Sequence, residues 1–171
     1  MIELAIVFGV VSLLSVLFIY NFREAATSAT ARNQIASIIV SDIRRAQSMA
    51  LAGSNREGQI VCGFGIHYIN SYSYILYSKM PSGGSCALAT RNYSSGDPFE
   101  TRIIDNTNFR IGSIFADIFF EPPDPKTYIN NSAVLLPETT TTINVVLKNQ
   151  PCTGATCTIV TVSTRGSVDV N

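Results

Sequence analysis

The chain has 171 residues, 46% of them hydrophobic, with 12 Lys+Arg against 12 Asp+Glu, one His, four Cys and no Trp. That length suits one domain rather than two. A zero net charge with no basic cluster lacks the electrostatic footprint of a general nucleic-acid binder and argues against a DNA-coating role. With His67 as the sole imidazole, any His-based triad or catalytic zinc centre would have to be built around it. Neither an enzyme activity nor a cofactor is expected.

In chain order, the first element is an uncharged apolar run from Leu4 to Phe22, bounded by Glu3 and Arg23. As a helix it spans ~28 Å, close to a bilayer core, and it exceeds the apolar region of an ordinary signal peptide. Residues 1–22 therefore read as a transmembrane half-helix. No Lys or Arg precedes the run, and no small-residue cleavage pattern closes it.

The helix is expected to continue. Between Arg23 and Ala52 there is no Pro or Gly, and Ile35, Ile38/Ile39, Ile43, Ala46 and Met49/Ala50 recur in steps of three and four, which makes one apolar stripe. Gly53, followed by Ser54 and Asn55, reads as a C-cap. The result is one helix of roughly 50 residues, ~75 Å long. Its first half is apolar all round and its second half, 23–53, is amphipathic, requiring a partner surface along one side. Glu3, at the edge of the apolar run, has two readings: a carboxylate resting in the headgroup layer, or one paired with a cation of a neighbouring subunit.

Met1-Ile2-Glu3-Leu4, the apolar run and the amphipathic segment ending Ser41-Asp42-Ile43-Arg44-Arg45-Ala46-Gln47 resemble the N-terminus of type IV pilin-like proteins. Within that superfamily the pattern is most similar to the H-type (GspH/FimT-like) minor pseudopilins. Cys62-Gly63-Phe64-Gly65-Ile66-His67-Tyr68 resembles the first strand region of such proteins, and Phe119 to Ile129 resembles a later strand and turn. In the family a basic leader ending in Gly precedes Phe-Thr-x-Ile-Glu, and a membrane peptidase cuts between Gly and Phe. Met1 stands at the "x", and the leader, the Gly and the Phe-Thr are not in the sequence. The resemblance implies processing by a prepilin peptidase if a leader precedes Met1. It also implies an assembly role for Glu3, attracting the freed α-amino group of a neighbouring subunit.

After Gly53 the periodicity changes to two. Tyr72, Tyr74 and Leu76 alternate with Ser73, Ile75 and Tyr77; Ile143, Val145 and Leu147 alternate with Asn144, Val146 and Lys148; Cys157 to Ser163 is β-branched through its middle. These read as strands. Turn residues separate them at Pro81–Gly84, Ser94–Pro98, Pro122–Pro125 and Gly166. About seven or eight strands following one helix is the segregated pattern of an α+β fold. An antiparallel sheet domain over 54–171 is expected to pack on the Ile35 to Met49 stripe in a pilin-like arrangement.

Cys62, Cys86, Cys152 and Cys157 favour an oxidising compartment, and four cysteines permit three pairings. Cys62 with Cys86 and Cys152 with Cys157 are favoured, because the second pair encloses Thr153-Gly154-Ala155-Thr156, a natural turn. A Cys-rich metal site near His67 and reduced thiols are the competing readings, though no Cys-x-x-Cys is present. Arg23 and Arg32 on the C-terminal side of the apolar run would by themselves hold the rest of the chain in the cytoplasm. Disulfides demand the opposite, and the cysteines are given precedence.

Other constellations have ordinary readings. Pro122-Pro123-Asp124-Pro125 reads as a rigid turn, and Tyr68, Tyr72, Tyr74, Tyr77 and Tyr93 as core or sheet surface rather than a ligand platform. Asp97 with Glu100 and Asp117 with Glu121 read as solvated charges rather than acid-base pairs. Asp124, Asn130 and Asn131 offer too few oxygens for calcium, and Thr139 to Thr142 suits a strand edge or exposed loop. Asn92 and Asn130 stand in Asn-x-Ser acceptors.

The expectation is thus a non-enzymatic structural subunit, a minor pilin or pseudopilin of a type IV pilus or type II secretion-like filament. Its partners would be bacterial inner-membrane lipid and other pilin or pseudopilin subunits, with the C-terminal domain extracytoplasmic. The alternatives are a DNA-uptake pseudopilin, using Arg102, Arg110, Arg165 and Lys148, and a signal-anchored extracytoplasmic domain.

Overall fold

The computed structural model describes residues 2–53, 55–56, 58–106, 108–123, 126–133 and 137–171, and the side chains of these except 2–5, 19–26 and Ala155. A single helix, α1 (Ile2–Leu51), precedes eleven strands among the described residues: β1 (Asn55–Arg56), β2 (Gln59–Ile60), β3 (Gly63–Asn70), β4 (Ser73–Lys79), β5 (Pro98–Ile103), β6 (Phe109–Ile111), β7 (Ile118–Glu121), β8 (Lys126–Ile129), β9 (Thr140–Leu147), β10 (Cys157–Ser163) and β11 (Val168–Val170). The fold is α+β, and all its strand pairs are antiparallel.

The helix stops where its residues stop supporting it. Gly53 takes φ +58, a left-handed conformation that costs glycine little, and its N–H donates to the Ala50 carbonyl at 3.1 Å. On the stripe, Ile35, Ile39, Ile43, Ala46 and Ala50 are buried, Met49 is half-buried and Ile38 remains exposed.

Beyond the β1–β2 ribbon the strands form two sheets, ordered β5-β4-β3-β7-β8 and β11-β10-β9-β6. Their inner faces meet the helix stripe in one core. It includes Ile39 and Ile43 from α1, Phe64, Tyr74 and Phe120 from the larger sheet, and Ile143, Val145, Val160 and Val162 from the smaller. Burial of these aliphatic and aromatic groups, each worth about 1.5 to 3 kcal/mol on removal from water, is the main force holding helix to sheets.

The structure corrects two strand expectations. The alternation at Tyr72 to Tyr77 implies a half-buried strand, but β4 is buried at every residue. The far face of the larger sheet is covered by the segment that follows it: Tyr93 packs edge-on against Tyr77 with ring centroids 5.7 Å apart, and the Tyr77 hydroxyl donates to the Arg91 carbonyl at 2.6 Å. Ile75, Tyr77 and Phe119 thereby form a second small cluster. Gly65 makes room for it, since a Cβ there would lie 2.6 Å from the Tyr77 ring and 2.5 Å from the Ile118 carbonyl. The second correction is the strand count, which exceeds seven or eight because the ribbon and the edge strands β6 and β11 are too short to show a period of two.

Both favoured disulfides are present. Cys62–Cys86 and Cys152–Cys157 hold their Cα atoms 5.2 and 5.0 Å apart, so neither a thiolate metal site nor free thiols apply. Pro122 and Pro123, joined by a cis peptide bond, lie in the β7–β8 turn as expected, while Asp124 and Pro125 are outside the described residues.

Candidate assembly surface

The packed half of α1 is locked to the sheets by polar contacts as well as by its stripe. Asp42, 4% exposed, accepts from the Tyr74 hydroxyl at 2.6 Å and from the Arg102 guanidinium at 3.1 and 3.2 Å. Burial, and then the hydrogen bond to Asp42, push the Tyr74 phenol far above its ordinary range. The same carboxylate raises Arg102. Arg45 pairs with Glu100 at 2.7 Å, Gln47 Nε2 donates to the Gly166 carbonyl at 2.9 Å, and Arg32 Nε donates to Thr158 Oγ1 at 2.9 Å. The helix is therefore fixed to both sheets along its second half.

The other half has no such cover. Every described side chain from Ile6 to Phe18 is exposed, and the large aliphatic and aromatic ones lie between 50% exposed at Leu14 and 66% at Phe8 and Val16. These residues occupy all sides of the helix rather than a stripe. The two hydroxyls among its described side chains are already satisfied: Ser12 Oγ donates to the Phe8 carbonyl and Ser15 Oγ to the Val11 carbonyl, both at 2.8 Å. Exposed Ser37, on the packed half, makes the same i−4 bond to the Asn33 carbonyl at 2.9 Å. Among the described residues no helix is long and apolar enough to cross a membrane; Ile6–Phe18 alone falls short of a span. Met1 and the Glu3 side chain lie outside the described residues.

The acidic pairs expected to be solvated are not. Asp97 meets Lys79, whose side chain is only 6% exposed, at 2.5 Å. Asp117 meets His67 Nδ1 at 2.6 Å, Glu121 meets Arg91 at 2.9 Å, and Glu100 bonds both Arg45 and Arg102. The cations on Asp97, Asp117 and Glu121 come from strands and loops remote in sequence, a placement that sequence-local reading does not supply. His67 stacks on Tyr93 with centroids 4.3 Å apart, and the Tyr93 N–H donates to Asp117 at 2.7 Å. These contacts make a clasp between the sheet and the 80–97 segment.

The tyrosines divide between cores and surface: Tyr74 and Tyr77 are buried, Tyr68 and Tyr93 half-buried, and Tyr72 exposed. Asn130 Oδ1 accepts from Asn92 Nδ2 at 3.2 Å and Asn131 Oδ1 from the Arg91 N–H at 2.9 Å, so these oxygens serve loop contacts. Thr140 to Thr142 open β9, with Thr141 turned inward. The arginines of the DNA-uptake alternative are distributed rather than gathered. Arg102 holds Asp42 on the larger sheet, Arg110 lies on β6 of the smaller, and Arg165 pairs with Glu138 at 3.3 Å.

The Asp42–Tyr74–Arg102 lock was missed from sequence, though a signal existed. Asp42 sits beside Ile43 and three residues after Ile39, an acid on the apolar stripe, and a buried acid requires partners. No protein-family model, no curated protein and no solved structure matches the chain.

Proposed function

We propose that the chain is a non-enzymatic structural subunit of a membrane-assembled filament, a minor pilin or pseudopilin of a type IV pilus or type II secretion-like assembly. The observation that carries this reading is the contrast along α1: one continuous helix, clamped to a disulfide-bonded domain at one end and bare and apolar on all sides at the other. A helix apolar all round requires lipid or other helices about it. Exchange of one for the other gives little hydrophobic gain, so specificity in a bundle has to come from packing and from buried polar pairs. The two disulfides support an oxidising compartment for the domain. Glu3 is then the assembly residue, offsetting its burial by pairing with the α-amino group of a neighbour.

The test is fractionation of bacteria that build such filaments and produce the full chain. Intact chain should resist alkaline extraction from membranes and appear in sheared filaments, whereas removal of residues 1–22 should release the domain in soluble form. Glu3→Ala should keep membrane association and lose filament incorporation. Alkaline extraction of the intact chain, or its absence from every filament preparation, would overturn the reading.

A further inference from the structure

The outer face of the smaller sheet, turned away from the helix, points to an interface of its own. On β9 and β10 the inward residues are Ile143, Val145, Val160 and Val162, so their neighbours in sequence project outward. By register Arg110 lies opposite Val146 and Asp169 opposite Thr161, which places both charged groups on that outer face, on the edge strands β6 and β11.

Neither makes an ion pair among the described residues. Arg110 Nε is buried without an acceptor, a situation that costs a charged donor more than a neutral one. On the same face Asn144 Oδ1 is also buried without a donor. Asp169 is exposed and makes none of the ion pairs found among the described residues. Thr142, Thr161 and Ile159 occupy the space between the two charges. Among the described residues the face therefore carries an unmatched cation, Arg110, towards one margin and an unmatched anion, Asp169, towards the other.

The registers fix their separation. Arg110 is level with Val146 and hence with Cys157 on β10, while Asp169 is level with Thr161. The offset is four residues along the strands, about 13 Å, and three strand spacings across them, about 14 Å. Two points so placed are exchanged by a two-fold axis lying in the plane of the face at about 45° to the strands. Two sheets related in that way cross at about 90°, one of the two angles at which sheets pack face to face.

We propose that this face pairs with the same face of a second copy of the chain, Arg110 of each copy meeting Asp169 of the other in an isologous contact. The contact is separate from helix bundling, and its test does not depend on the filament reading. Sedimentation equilibrium of the full chain in detergent micelles reads it directly. Arg110→Glu and Asp169→Lys, each with unchanged circular dichroism, should raise the dimer dissociation constant by about tenfold or more. The Arg110→Glu/Asp169→Lys double variant should recover most of the affinity.

Association through the apolar helix would leave all three variants like the parent, which would overturn the proposal. So would a parent that stays monomeric at about 100 μM, or a folded double variant that fails to recover. If Arg110→Glu does not fold, Asp169→Lys on the exposed edge decides alone: unchanged dimerisation refutes the contact.

Discussion

The first half of α1 is the more apolar of the two, yet it is the second that is buried in the domain core. In the packed half, a stripe of Ile35, Ile39, Ile43, Ala46 and Ala50 faces the sheets, with charged residues such as Arg44 and Arg45 outside it. In the other, Ile6 to Phe18 present apolar groups to every side, and none of the described ones is covered. Apolar content alone does not decide whether a helix belongs to a domain core. Its angular distribution does, because a stripe can be buried by one sheet layer and a full cylinder cannot.

Substitution separates the halves most strongly. Ile43, fully buried beneath both sheets, should cost about 2 to 5 kcal/mol of folding stability when changed to Ala. Leu13→Ala should leave it within about 0.5 kcal/mol. Chemical denaturation of the two variants in detergent measures both, and an equal loss in the two would break the contrast.

The disulfides sharpen it next. Cys62–Cys86 closes a separation of 24 residues and Cys152–Cys157 one of 5, so the chain-entropy argument gives about 3.5 and about 2 kcal/mol respectively. Selective Cys-to-Ser pairs, read by thermal unfolding, should lower the melting temperature more for the first than for the second. On the filament reading proposed above, neither should alter membrane association of the full chain.

The helix–sheet lock is expected to matter less, but with a distinctive pH signature. Asp42→Asn leaves Arg102 with Glu100 as its one carboxylate partner and takes the anionic acceptor from the Tyr74 hydroxyl, and should cost about 1 to 3 kcal/mol. In the parent, burial raises Tyr74 and Tyr77 well above the ordinary tyrosine range. Below pH 10 the phenols are neutral in both folded and unfolded chains and contribute no slope. Above it the unfolded chain loses protons first, so stability should fall by up to about 1.4 kcal/mol per pH unit for each buried tyrosine. Phenolate absorbance should show these two groups titrating only as the domain unfolds; ordinary titration in the folded protein would contradict their burial. The smallest effect belongs to Gly53→Ala, about 1 kcal/mol, from a side chain forced into the left-handed conformation that ends the helix.

Local pattern made much of this fold legible. Period 3.6 over Ile35 to Ala50, the change to period two after Gly53, and turn residues at Pro81–Gly84 and Gly166 mark the helix stripe and the main strands, because each reflects geometry within a few residues. The nearest-neighbour cysteine pairing was legible for the same reason, Thr153 to Thr156 being a turn between two close thiols. The short strands β6 and β11 were not, since three residues carry no period. The fates of Asp97, Asp117 and Glu121 were not legible either, since Lys79, His67 and Arg91 reach them only once the larger sheet and its covering segment are in place.

By itself, then, the sequence determined an α+β chain with one long helix of two characters and an export-compatible cysteine framework. These follow from composition and short-range periodicity. Only the tertiary structure decided that β4 is buried on both faces, that Asp42 closes on Tyr74 and Arg102, and that Arg110 and Asp169 share an outer sheet face without an ion-pair partner among the described residues. Those facts depend on which distant residues folding brings within a few ångströms of one another, and burial and charge pairing are properties of that arrangement rather than of the residues alone.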